Sequence, residues 1–247
     1  KSSGSNYSVL AWTLACACGS GRVDGSGAAD SSPGTTADAS SSSGPDECWR
    51  VIDGSLIVDD TTDLDSLRDV REIRGDLGIE LDSSMQADLS FLGCLESVEN
   101  IGFHVGPNLV STAGAVRLTQ AATIGVGAGS IGPRVLEGFE HVSELISLQV
   151  DDSSGIERIN LPGLERLDWI RIGNCLTNVP RNNPSLTSTG TFGSLEHVGS
   201  ITVQGNAALV RDGILDALLQ NGGEPPESVS YIINQRLPEE EIVAAFE

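Results

Sequence analysis

From Cys48 onward the chain repeats one arrangement of apolar positions, in which three apolar residues are each separated by two others. The copies are Leu67-Val70-Ile73, Leu95-Val98-Ile101, Leu118-Ala121-Ile124, Phe139-Val142-Leu145, Leu164-Leu167-Ile170 and Leu195-Val198-Ile201. Their central positions, 70, 98, 121, 142, 167 and 198, lie 28, 23, 21, 25 and 31 residues apart. Several copies run on into glycine and an alternating segment, as in Gly75-Asp76-Leu77-Gly78-Ile79 and Ile201-Thr202-Val203-Gln204-Gly205. Gly54-Ser55-Leu56-Ile57-Val58 opens the series. Alternation places Leu77 and Ile79, or Ile201 and Val203, on one face of a strand. The triplet is too short for an independent helix and reads as a bend or short helical turn that points every third residue inward. A unit of this length cannot cover its own apolar face, so it must stack on its neighbours. Strands at corresponding positions then pair in parallel, about 4.8 Å apart, and about six to seven coils make a body roughly 30 Å long.

Beyond the last copy the pattern changes. Asp212-Gly213-Ile214-Leu215-Asp216-Ala217-Leu218-Leu219 has helical spacing with Asp212 as N-cap, and Gly222-Gly223 and Pro225-Pro226 end it. Ser228 to Asn234 reads as a final strand, and 237–247 as a short acidic helix that caps the open end. The fold class expected is a β-rich α/β solenoid with a C-terminal helix and capping segment, its body spanning 47–236.

The first residues read differently. Lys1, the apolar run Tyr7 to Ala15, and Cys16-Ala17-Cys18-Gly19-Ser20 follow the layout of an export signal, so 1–18 is assigned as a signal segment. It resembles the lipobox of bacterial lipoproteins, where a thiol is acylated and becomes the first mature residue. Cys18, with Ala15 and Ala17 before it, is the better match, and Cys16 the other candidate. The 28 residues 19–46 hold eight Ser, six Gly, four Ala and four Asp. They bury too little to offset the entropy of ordering, so they are expected to form a flexible tether with a reach of roughly 30 Å.

The unit L-x-x-V-x-x-I followed by glycine and L-x-I, repeated from Cys48 to Asn234, resembles the receptor L-domain, the leucine-rich-repeat-like solenoid of insulin-receptor-type ectodomains. Bacterial lipoproteins carry such domains behind a lipobox and a small-residue linker. In them a copy ending in Asn-Pro-x-Leu or similar precedes a helix and a last strand, as Asn206 to Asn234 does here. The resemblance implies a parallel, right-handed solenoid used for binding, and it brings no shared catalytic residues.

Charge narrows the partners. The chain has 35 acidic and 14 basic residues, a formal net charge of −21, and Lys1 is its only lysine. Such a surface repels phosphate backbones and anionic lipid headgroups, which argues against nucleic acid and against a polybasic membrane patch. Aromatics make up only 4 %, so the core must be built from Leu, Ile and Val. Dense carboxylates with almost no lysine also resemble the surfaces of proteins kept soluble in high salt.

Chemical motifs are few. Gly127-Ala128-Gly129-Ser130-Ile131-Gly132 matches G-x-G-x-x-G after a possible strand at Ala122 to Val126, with Asp151 and Asp152 about 20 residues on, where a ribose-binding acid would sit. Pro133 follows the third glycine at once and Gly138 interrupts the helix that dinucleotide binding needs, so no cofactor is expected. His141 and His197 occupy the same position in their copies and are expected at solvated bends, while His104 lies elsewhere. Asp59, Asp60, Asp63 and Asp65 offer oxygen ligands for calcium but lack the spaced loop, and aspartate before a helical turn is usually a cap, so no metal is expected. No G-x-S-x-G, H-E-x-x-H or P-loop is present. Of Cys48, Cys94 and Cys175, an exported protein pairs two, with Cys48 and Cys94 nearest in the array; Cys94 and Cys175 are equally readable as buried core residues.

These readings lead to a monomeric, non-enzymatic lipoprotein of the outer membrane, cell surface or periplasm, held to a membrane by its lipid and binding a protein or glycan. The competing expectations are a parallel β-helix enzyme acting on polysaccharide through carboxylates in a surface groove, and a purely structural envelope spacer.

Overall fold

The computed structural model describes residues 48–81, 88–106, 108–127, 131–151, 153–173, 183–206, 208–210 and 212–232. The signal segment with Cys16 and Cys18, the tether, Asp152, Cys175 and the acidic segment 237–247 lie outside the described residues. The described chain winds as a strand-rich parallel β-solenoid of about five turns with one helix.

Strands β1 (Arg50–Asp53) and β2 (Leu56–Asp59) precede a 3₁₀ turn at Leu64–Leu67 and the long strand β3 (Val70–Glu80). A second 3₁₀ turn, Ser90–Leu92, leads into β4 (Ser97–Phe103). Then come β5 (Thr123–Val126), β6 (Val135–Leu136), β7 (Glu144–Val150), β8 (Arg158–Ile159), β9 (Arg166–Ile172) and β10 (His197–Gln204). Helix α1 (Gly213–Asn221) and strand β11 (Ser228–Ile232) follow. The main sheet runs β1-β3-β4-β5-β7-β9-β10-β11, with β2 also on β3, while β6 and β8 form a second, two-stranded sheet. Every pairing among them is parallel.

Register turns the apolar pattern into two continuous rows. Leu56, Leu77, Ile101, Ile124, Leu148, Ile170, Ile201 and Val229 stack across the sheet in one. Val58, Ile79, Phe103, Val126, Val150, Ile172 and Val203 form the other. Every member of the second row, and each of the first from Leu77 to Ile201, is buried. Each such side chain removed from water contributes about 1.5–3 kcal/mol, so these rows are a large part of the core that stabilises the solenoid.

The triplet itself is only partly a helical turn. Its second and third residues belong to one strand, as Val98 and Ile101 do in β4 and Leu167 and Ile170 in β9. All four are buried although the members of each pair lie three positions apart. A strand whose side chains alternate cannot bury positions three apart without bending between them, so the x-x of V-x-x-I is a corner.

Register also corrects the alignment of two copies. Ile73, not Val70, pairs with Val98, and an irregularity between Ile73 and Asp76 then brings Leu77 rather than Asp76 opposite Ile101. Leu145, not Val142, pairs with Leu167. The equivalent positions are therefore 73, 98, 121, 145, 167 and 198, spaced 25, 23, 24, 22 and 31 residues apart. His197 consequently stands in register with Arg166 and Glu144, and His141 is three residues out of that position.

Buried polar side chains also link the coils. Asn183 Nδ2 donates to the Val150 carbonyl and to Asn206 Oδ1, at 3.2 and 2.9 Å, and Asn206 Nδ2 donates to the Ile172 carbonyl at 3.0 Å. Each asparagine thereby ties its own coil to a backbone carbonyl of a preceding one through a buried side-chain bond.

At the C-terminal coils Asp212 caps α1, its Oδ1 accepting from the N–H groups of Ile214 and Leu215. Gly222, at φ 69°, ends the helix in the left-handed conformation that glycine adopts without cost. Gly213 lies against the Gly190 carbonyl so closely that a Cβ there would overlap it. At the first coils Cys48 and Cys94 form a disulfide with Cα atoms 5.2 Å apart, which decides between the two readings for Cys94. No helix among the described residues is long and apolar enough to cross a membrane.

Candidate functional site

The corrected register places two rows of outward residues beside each other. One row is Glu72, Ser97, Gln120, Glu144 and Arg166, each immediately before an inward residue. The other is Arg74, Glu99, Ala122, Ile146 and Asp168, each immediately after one; N–H bonds from Ala122 to the Glu99 carbonyl and from Ile146 to the Ala122 carbonyl tie it together. Between them runs a groove of ≈ 750 Å³ whose floor is the backbone around Ile73, Val98, Ala121 and Leu145. A recess of ≈ 250 Å³ adjoins it, lined by Arg71, Glu96 and Thr119 together with Glu72, Ser97 and Gln120. The groove crosses the strands, so whatever lies in it contacts several coils at once.

Its charges are unevenly matched. Arg74 Nε bonds Glu72 Oε1 at 2.8 Å and its Nη1 bonds Asp53 Oδ1 at 3.1 Å. The hydrogen bond and the negative charge of Glu72, with those of Asp53, raise the pKa of the guanidinium further. Glu99, Glu144 and Asp168 are exposed and take part in no ion pair among the described residues. Ile146 is 55 % exposed between them, an apolar side chain with neighbours that leave it in water.

Other candidates are occupied by structural tasks. Asp59 Oδ1 accepts from the Thr61 N–H and from the Thr61 and Thr62 hydroxyls at 2.8–2.9 Å, and these bonds, those of Thr61 foremost, lower its pKa. Asp63 caps the first 3₁₀ turn and Asp65 pairs with Arg68 at 2.7 Å. Each carboxylate thus serves a local turn, and among the described residues no three of His, Cys, Asp and Glu converge on a metal position. Of the glycine motif, Gly127 follows β5 and the chain then enters β6 at Val135, where a dinucleotide site would place a helix. Asp151 at the end of β7 is bound by Arg171, whose Nε donates at 3.1 Å and whose guanidinium lies 6.0 Å from the Trp169 ring.

The residues that line this groove were not singled out from the sequence, which raised a carboxylate-bearing surface groove only for the enzymatic alternative. The signal of this groove is present, in the residues flanking each central apolar position, but it emerges only when Leu145 replaces Val142 as the fourth central residue. Compared with family models, curated proteins and solved structures, the chain matches none.

Proposed function

We propose that this chain is a non-enzymatic, lipid-anchored binding protein of a bacterial cell envelope, presenting the solenoid groove to a protein or glycan ligand. The observation that carries the reading is the groove between the two outward rows, open to solvent and spanning strands β3 to β9. A lipobox-like Cys18, or Cys16, followed by the small-residue tether 19–46, supports the anchor. The Cys48–Cys94 disulfide supports an oxidising compartment, hence export. Within this reading the body is a right-handed receptor L-domain of six to seven coils, the first and last strands counted as partial coils, and a monomer.

The enzymatic alternative has one specific footing. Glu144 and Asp168 stand diagonally on adjacent strands with Cα atoms about 8 Å apart by sheet geometry, so one groove carries two carboxylates, the pair of groups glycosidases use. Both residues are exposed, however, and a general acid of that kind is held in an apolar pocket. Binding is the better fit to an open, polar groove.

Metabolic labelling with a fatty-acid analogue tests the anchor, using the wild type and the Cys16→Ser and Cys18→Ser variants. Label lost only in Cys18→Ser is expected, and no label in any of the three removes the anchor. Binding to peptide and oligosaccharide arrays tests the groove. Signals abolished by Ile146→Asp are expected, and signals indifferent to it, or glycan turnover abolished by Glu144→Gln, overturn the binding reading.

A further inference from the structure

We infer that the groove selects an extended peptide carrying two basic side chains four residues apart with an aliphatic residue midway, an inference that rests on the groove being a binding site. The second row reads Glu99, Ala122, Ile146, Asp168 on successive strands, so two carboxylates with no ion pair among the described residues flank an apolar centre. Three strand spacings separate Glu99 from Asp168, about 14 Å. An extended chain lying along the groove repeats its side chains on one side every two residues, so residues i and i+4 are about 13 Å apart. The side chain at i+2 then falls about 7 Å along, between Ala122 and Ile146.

The charge of the walls fits the same ligand. Arg74 is already neutralised by Glu72 and Asp53, which leaves Glu99, Glu144 and Asp168 against Arg166 alone. Burying the 55 % exposed Ile146 under an aliphatic side chain supplies the apolar part of the affinity. A strand-like peptide is favoured over a neutral glycan because the walls offer separated carboxylates, and no aromatic ring lines the groove to stack on a sugar.

The test uses the full chain and synthetic peptides with the cores RTITR, RTRTI and ETITE, read by fluorescence anisotropy at low ionic strength beside a set of neutral oligosaccharides. RTITR is expected to bind, RTRTI about tenfold more weakly, and ETITE not at all. The double variant Glu99→Gln, Asp168→Asn should lose about tenfold for RTITR. A control double variant, Glu80→Gln, Glu157→Gln, removes equal charge at the far end of β3 and beside β8, away from the groove, and should retain binding. Thermal unfolding of each variant guards against misfolding. Equal binding of RTITR and RTRTI, equal losses in both double variants, or no peptide binding would overturn the inference. If an oligosaccharide binds instead and is lost in Ile146→Asp, the peptide inference falls while the groove remains a binding site. If no probe depends on the groove, both fall.

Discussion

At the first coils Cys48 is bonded to Cys94, Arg50 pairs with Asp69 at 2.9 Å, and Asp59 holds a turn through exposed hydroxyl bonds. At the last coils there is no such staple among the described residues. Helix α1 is fixed instead by the nine-tenths-buried carboxylate of Asp212, whose Oδ1 also accepts from the Thr189 hydroxyl at 2.9 Å. A solenoid must close an apolar row at each end, and the two ends do so with covalent restraint on one side and a buried carboxyl group on the other. The difference teaches that they will answer oppositely to reductant and to acid.

The largest expected effect breaks the staple. Cys48 and Cys94 are 46 residues apart, and freeing a loop of that length costs about 4 kcal/mol in chain entropy. Cys48→Ser with Cys94→Ser should lower the urea midpoint accordingly. Hydrogen exchange should accelerate first in β1 to β4, and uniform acceleration through β10 would show that the ends are not energetically distinct. Leu148→Ala, fully buried in the middle of the first row, should cost about 3 kcal/mol and weaken both ends alike.

Asp212→Ala removes the cap and should cost about 1 kcal/mol, with exchange faster in α1 and β11 and unchanged in β1 to β3. The pH response separates the ends more sharply. Burial raises the pKa of Asp212 against the lowering effect of its bonds from Leu215, Thr189 and Ile214, and nearby Asp216 adds to the rise. A native state that holds a proton more tightly than the unfolded state loses stability as pH rises through the native pKa. The Asp212 contribution is therefore full below 3.8 and is lost above it, through the raised value. Asp59 has the opposite sign: its contribution is present above 3.8 and is lost as pH falls through its lowered value. Asp212→Asn should flatten the first dependence without altering the second, as site-resolved exchange between pH 3 and 7 would reveal.

The smallest effect is general. At a net charge of −21, screening relieves self-repulsion at both ends, so melting midpoints should rise between low and molar salt. Midpoints that stay level or fall would refute the high-salt reading of the surface.

Much of the fold is legible in the sequence because burial is periodic. Leu77 and Ile79, Ile201 and Val203, and the Asp212 cap all occupy the places their spacing predicts. Register was the hard part. Phe139, Val142, Leu145 and Leu148 are apolar at every third residue, so the triplet fits two positions that differ by one step. Only hydrogen bonding to Leu167 and Ile170 selects the second. The same ambiguity at Val70 and Ile73 is resolved by the pairing of Ile73 with Val98. The groove depended on that choice, since shifting the fourth copy moves Glu144 and Ile146 out of line with Arg166 and Asp168.

A cross-link across β7 and β9 therefore tests the central claim most directly. In a chain with Cys16, Cys18 and Cys175 replaced by serine, the pair Glu144→Cys, Arg166→Cys places two Cα atoms about 5 Å apart, within disulfide range. This register predicts rapid cross-linking of that pair under mild oxidant, and little for His141→Cys, Arg166→Cys. Preferential closure of the His141 pair would contradict the register, and with it the groove.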